Sequence, residues 1–243
     1  MRLKAKSFFP LLCGVVLSGC LIRQAHALGT EVVAQAQVKL AKAAQSVERQ
    51  SNEGVVMWLT RVETDPMDPL PPITPRNHLQ LAQKNKQFVP HMLVVPVGSV
   101  VDFPNLDPFF HNVFSRFDGK KFDLGLYESG SSRSVHFDRA GVSYIFCNIH
   151  PEMSAVVVAV PTPYFASSSS SGSLVIHDVE PGTYDVHVWA MGSPEKSLAA
   201  LRHRISVSGR TVDLGAIALD VAGMPPHKNK FGEDYDKKPP VDY

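Results

Sequence analysis

The stretch YIFCNIHPEMSAVVVAV, Tyr144 to Val160, joins two strand-like apolar runs through a loop that carries Cys147, His150 and Met153 within seven residues. Its second half, SAVVVAV, is apolar almost throughout, as a strand covered on both faces should be. Singly, these three residues have ordinary readings: a buried Cys is a small hydrophobe, a Met opening an apolar strand is core, and a loop His is solvated. Together, a thiolate, an imidazole and a thioether from one loop form a soft donor set, which selects copper over magnesium, calcium or manganese. In copper sites of that kind two His and one Cys form a trigonal set with a long axial Met, so a second imidazole has to come from elsewhere. The candidate is His111 in DFPNLDPFFHNVFS, 36 positions before Cys147. That is enough chain for the intervening strands to fold back beside the loop.

Outward from this loop the pattern is all-β. HMLVVPVGSVVDFPN predicts two short strands hinged at VGS, and SRSVHFDRAGVSYIFCN two more separated by DRAG. Further on, LVIHDVEPGTYDVHVWA reads as strand, EPG turn, strand, and HRISVSGRTVDLGAIAL as another hairpin. Upstream, GVVMWLTRV (54–62) is strand-like, and the five prolines of residues 63–77 mark a loop. Residues 31–50, rich in Ala and Gln, leave helix and weak strand open. YFASSSSSGS (164–173) reads as a linker or exposed loop, and the charged, Pro-rich residues 223–243 as a mobile tail.

The first 27 residues combine a basic start, an apolar run from Phe8 to Ile22 and the sequence AHA, which predicts a secretory signal. LSGC, Leu17 to Cys20, is similar to a bacterial lipobox, so cleavage after Ala27 and a lipid anchor at Cys20 both stay open. Without residues 1–27, 20 basic and 23 acidic residues remain, a net charge of −3. No basic face argues for nucleic acid. Of the three cysteines only Cys147 lies beyond the signal, so the mature chain has no internal disulfide to make. A lone thiol in an oxidising compartment is a liability unless it is buried, paired between chains or bound to metal.

FPNLDPFFHNV followed by GVSYIFCNIHPEM resembles the cupredoxins, over about residues 79–162. The Cys-x2-His-x2-Met spacing is similar to that of amicyanin, whereas plastocyanin and pseudoazurin space His and Met more widely. VPVGSVVDFPN fits as well, with Gly98 in its turn and Asn105 six residues before His111. The resemblance implies a Greek-key β-sandwich with one type 1 copper on His111, Cys147, His150 and Met153, in a periplasmic protein of the methylamine-utilisation kind. It also implies that Asn112 ties the two ligand loops together beside the Cys147 sulfur and that Asn105 supports the loop before His111. Such bonds orient ligands and tune the metal. One departure is Asn148-Ile149, where amicyanin-like loops often carry a Pro just before the His; here only Pro151, after it, is present.

A copper pair in one fixed geometry passes single electrons. Multicopper oxidases and copper nitrite reductases carry further His clusters, commonly H-x-H pairs, and this sequence contains none. The expectation is an electron carrier rather than an enzyme. A c-type cytochrome, dehydrogenase or oxidase would dock near Phe109, Phe110, His150 and Pro151, with Pro108 in the same patch and His150 partly exposed. The alternatives are a copper store or delivery module, or a structural sandwich without redox turnover. Glu152 places a negative charge near the site and predicts a lowered potential. The remaining histidines, His78, His91, His136, His177, His187, His203 and His227, show no partner spacing; His91 is the one to test for a second metal.

SGSLVIHDVEPGTYDVHVWA resembles the carboxypeptidase regulatory-like or transthyretin-like sandwich, a smaller immunoglobulin-like β-fold in which an early strand such as GVVMWLTRV takes part. This implies that residues 28–62 and 163–222 form a second domain, for docking or spacing, into which the cupredoxin domain (78–162) is inserted. Two tandem domains with an N-terminal extension are the alternative.

Overall fold

The computed structural model describes residues 29–40, 51–62, 72–116, 119–222 and 227–235. The expected export segment 1–27, with Cys20, lies outside the described residues. Among the described residues two strands come first, β1 (Thr30–Leu40) and β2 (Val55–Arg61). Ten more follow: β3 (Leu79–Gln80), β4 (Ala82–Lys84), β5 (Gln87–Val89), β6 (Met92–Pro96), β7 (Ser99–Pro104), β8 (His111–Ser115), β9 (Phe122–Tyr127), β10 (Ser132–Phe137), β11 (Gly141–Phe146) and β12 (Ser154–Val160). The last group is β13 (Phe165–Ser167), β14 (Ser173–Val179), β15 (Gly182–Ala190), the short helix α1 (Glu195–Ala200), β16 (His203–Val207) and β17 (Val212–Val221). The protein is all-β, as expected, apart from that six-residue helix among the described residues.

β1 lies where composition left helix and strand open. Val32, Ala34 and Ala36 are buried while Glu31, Gln35 and Gln37 are exposed, a period of two that a strand turns to opposite faces. Antiparallel pairing with β14 and parallel pairing with β17 then use its backbone groups on both sides.

The middle strands form a sandwich of two sheets, β6-β12-β11-β8-β9 and β10-β7-β3. The chain crosses between the sheets from β6 to β7, β7 to β8, β9 to β10 and β10 to β11. The turn into β7 is made by Gly98, at φ +89°, a backbone conformation that costs glycine little. Val101, Phe103, Val135 and Phe137 of the smaller sheet pack with Val113, Ile145 and Val157 of the larger. The outer strands form two other sheets, β14-β1-β17 and β13-β2-β15-β16, around a core that includes Val32, Leu59, Tyr184, Val186 and Leu219.

β12 joins the two cores. Ala155, Val157 and Ala159 belong to the first and Val156, Val158 and Val160 to the second, so alternate side chains of one strand are dry on both faces. This is the physical basis of the unbroken apolar run SAVVVAV. The serine-rich stretch after it is not a free linker. Residues 165–167 pair with β2, and the hydroxyl of the buried Ser168 accepts from the Val55 N–H at 3.1 Å and donates to the Asn52 carbonyl at 2.7 Å. Short hydroxyl side chains satisfy backbone groups locally, which composition alone does not distinguish from solvation.

Candidate metal centre

Two loops at one end of the first sandwich make the site. β8 and β11 lie side by side with Phe114 opposite Phe146, so His111, at the start of β8, comes beside the loop that leaves β11 at Cys147. The donor atoms of His111, Cys147 and His150 lie within 4.8 Å of one another, and all three residues are buried. The Cys147 sulfur is 3.7 Å from His111 Nδ1 and 3.6 Å from His150 Nδ1. With metal–sulfur and metal–nitrogen bonds of about 2.3 and 2.0 Å, a trigonally bound ion holds its sulfur and nitrogen ligands about 3.7 Å apart. The spacing therefore fits a metal ion. Met153 closes the loop: it is buried, its carbonyl accepts from the Cys147 N–H at 3.2 Å, and its own N–H donates to the His150 carbonyl at 3.1 Å.

The surroundings prepare these donors. Burial pushes the Cys147 thiol above its ordinary value, and hydrogen bonds from the backbone N–H groups of Asn112, Ile149 and His150 act in the opposite direction, toward the thiolate. Metal binding therefore displaces a proton from this sulfur. Burial holds both imidazoles below the ordinary histidine range; the Asp107 carboxylate partly offsets this at His111, and the neighbouring His111 adds to it at His150. Neutral imidazoles are the form that binds metal.

Asp107 selects the tautomer of His111. Its carboxylate, 2.8 Å from His111 Nε2, accepts the Nε2 proton and leaves Nδ1 turned to the sulfur, an arrangement that orients a ligand and raises its basicity. The same carboxylate accepts from the backbone N–H groups of Asn85 and Lys86 at 2.5 and 2.9 Å. Burial works to raise its pKa, but these three bonds outweigh burial and hold it below the usual carboxylate range. Phe109 covers both rings, with centroids 5.1 Å from His111 and 5.6 Å from His150. His150, expected to be partly exposed, is consequently only 5% exposed.

Asn105 is fully buried and holds the loop before His111: its amide donates to the Phe109 and Tyr127 carbonyls at 2.8 and 3.3 Å, and its oxygen accepts from the Asp107 N–H at 3.0 Å. Asn112 differs in detail from what the resemblance implies. Its backbone N–H faces Cys147, but its side chain turns away and donates to Asp123 at 2.7 Å. Of the docking residues, Phe110 is exposed at 57%, with Leu106, Ile149 and Phe231 also exposed nearby in chain or on the adjoining segment. His91 is not in the cluster; it lines a shallow cavity with Gln87, Phe88, Glu152 and Ser154.

Three features escaped the reading of the sequence. Asp107 carries a signal in its position four residues before His111, but nothing marks it as the carboxylate on that ring. His227 and Tyr235 lie in the segment whose composition reads as a mobile tail. Residues 227–235 instead lie against the ligand loop, with His227 stacked on Phe146 at 4.0 Å and the Tyr235 hydroxyl donating to the Cys147 carbonyl at 2.7 Å. Residues 223–226 and 236–243 lie outside the described residues.

No protein-family model matches the chain, and no curated protein matches it. Among solved structures the chain is similar to a purple cupredoxin from Nitrosopumilus maritimus, at 24% identity over 34% of this chain and 99% of that one, with a TM-score of 0.31. It is similar to a reduced Cu(I) form of an amicyanin variant, at 22% identity over 34% of this chain and 82% of that one, TM-score 0.33. A copper-containing nitrite reductase from Thermus scotoductus SA-01 matches at 18% identity over 51% of this chain and 28% of that one, TM-score 0.33. These likenesses are weak, and the case for a metal at this site rests on its own donor atoms.

Proposed function

We propose that this chain is a copper protein that transfers single electrons through one type 1 site, with His111, Cys147 and His150 as the trigonal ligands and Met153 as the axial thioether. The observation that carries the reading is the buried triad, one thiol flanked at 3.7 and 3.6 Å by two imidazole nitrogens. Sulfur with imidazole suits copper and zinc alike; a thioether at the end of the same loop tilts the set toward copper. When bound, copper supplies a one-electron couple, and the protein residues supply a fixed donor geometry, a dry setting and the charge of Asp107.

The reading extends to an exported, periplasmic protein, soluble or anchored through Cys20, that is a carrier rather than an enzyme. Its partner is a redox protein such as a c-type cytochrome, a dehydrogenase or an oxidase, docking on the apolar end formed by Phe109, Phe110, His150 and Pro151. Weak electron-transfer encounters suit so small a surface. The second sandwich, residues 28–62 with 163–222, serves as a docking or spacing domain beside residues 78–162.

Copper reconstitution followed by optical and EPR spectra tests the site. An intense visible sulfur-to-Cu(II) band, lost in Cys147→Ser, is expected; a protein that folds normally yet gives no coloured copper form refutes the reading. Reversible voltammetry and fast exchange with cytochrome c are expected of a carrier. Tight copper binding without either leaves the storage or delivery reading in its place.

A further inference from the structure

We propose that residues 227–235 are a positioning element of the metal centre, which holds the Cys147–Met153 loop through Tyr235, His227 and Lys230. Its effect on the metal rests on the copper reading above; its hold on the loop does not.

The segment bonds three polar groups of the loop outside the ligand set. The Tyr235 hydroxyl donates to the Cys147 carbonyl at 2.7 Å. His227 Nε2 donates to the Pro151 carbonyl at 2.6 Å, and its Nδ1 lies 3.3 Å from the Tyr235 hydroxyl, whose one proton goes to Cys147. The Lys230 N–H donates to the Asn148 side-chain oxygen at 2.9 Å. Asn148 adjoins Ile149, which stands where amicyanin-like loops often carry a proline just before the His, so a contact from outside the loop supplies stiffness that a ring within it would otherwise give.

The segment is built rather than draped. Asn229 Oδ1 accepts from the Phe231 and Glu233 N–H groups at 2.9 and 3.0 Å, and the Asn229 N–H donates to the Glu233 carbonyl at 2.9 Å. It is fixed to the sandwich at both sides of the loop. The His227 ring stacks on Phe146, 26° from parallel, and Tyr235 meets His227 edge-on at 5.2 Å. The Lys230 ammonium bonds Asp123 at 2.9 Å, and the Arg116 guanidinium donates to the Lys230 carbonyl. Asp123 in turn receives the Asn112 side chain, so one network ties the segment to the residues after both Cys147 and His111. A ligand loop held from outside keeps His150 Nδ1 near the sulfur in the metal-free protein and slows its departure once metal is bound.

The full chain is tested as Tyr235→Phe, as Tyr235→Phe with His227→Ala, and as the control Lys228→Ala, whose side chain is exposed. In metal-free protein, amide hydrogen exchange of residues 147–153 reports loop opening. Loss of one net hydrogen bond speeds opening about fivefold, and loss of both residues tenfold or more, while exchange in β7 and β12 stays unchanged. In copper-loaded protein, release to a chelator quickens in the same order and the EPR signal broadens. Unchanged loop exchange in the double variant, with the fold intact, overturns the proposal. Faster exchange with unaltered copper release and spectra overturns its positioning half. Faster loop exchange in a protein that never forms coloured copper supports the strap and refutes the copper reading, so the two fail separately.

Discussion

Asp107→Asn is the sharpest probe of the site, because the new amide oxygen can keep the His111 Nε2 proton, at the loss of the Asn85 N–H bond, while one buried negative charge is removed. The carboxylate lies 2.8 Å from Nε2, which places it about 7 Å from a metal on Nδ1. At an effective dielectric of about 20, one unit charge at that distance is worth about 2.4 kcal/mol, or roughly 100 mV on a one-electron couple. Two backbone amides and the nearby Lys86, whose ammonium lies 5.5 Å from the Phe109 ring, already share this charge. The expected result is therefore an upward shift of about 50 to 100 mV. Voltammetry of the copper-loaded wild-type and variant proteins at one pH measures it. A shift below about 20 mV, or one downward, would show that the carboxylate does not act on the couple as argued.

Glu152→Gln should also raise the potential, but less than Asp107→Asn, because Glu152 is exposed and water screens it; an equal or larger shift contradicts the argument from burial. Ile145→Ala, at a fully buried position, is expected to cost about 2 to 5 kcal/mol in denaturant unfolding, and a cost under about 1 kcal/mol would mean that the first core relaxes into the cavity. Since β12 serves both cores, calorimetry of the metal-free protein should record one transition for both sandwiches; two separated transitions would show the cores to be independent. The Asp102 carboxyl is held below its ordinary value by the Ser134 hydroxyl, at 2.5 Å, and by His78, at 2.9 Å. Its folded pKa is the lower one, so its stabilisation is present above the unfolded value near 4 and is lost as pH falls through the folded value. Asp102→Asn should flatten that acid limb in urea titrations, and an unchanged pH profile would remove Asp102 as its source.

The all-β character was legible because alternation and turn chemistry are local. VGS, EPG and SGR sit at strand junctions, and SAVVVAV announces a strand dry on both faces without saying what covers each. Where the sequence left a choice open or misled, a tertiary partner decided. β1 became a strand through its pairing with β14 and β17, and the serine-rich stretch gained order by satisfying backbone groups of β2. His227 and Tyr235 were hidden by a charged, Pro-rich composition, since nothing local tells a solvated tail from one that docks through two aromatic rings.

The same division runs through the candidate site. Cys147, His150 and Met153 are neighbours by chain connectivity, so their spacing alone states a soft donor set on one loop, and a histidine 36 residues earlier was the natural complement. Which imidazole nitrogen faces the sulfur, the carboxylate on the far side of His111, the aromatic lid of Phe109 and the segment laid across the loop depend on contacts between residues far apart in sequence. Short-range spacing is fixed by bond lengths and strand geometry; burial, charge and hydrogen-bond partners come from elements the fold brings together, and at this site they set the tautomer, the dryness and the local charge.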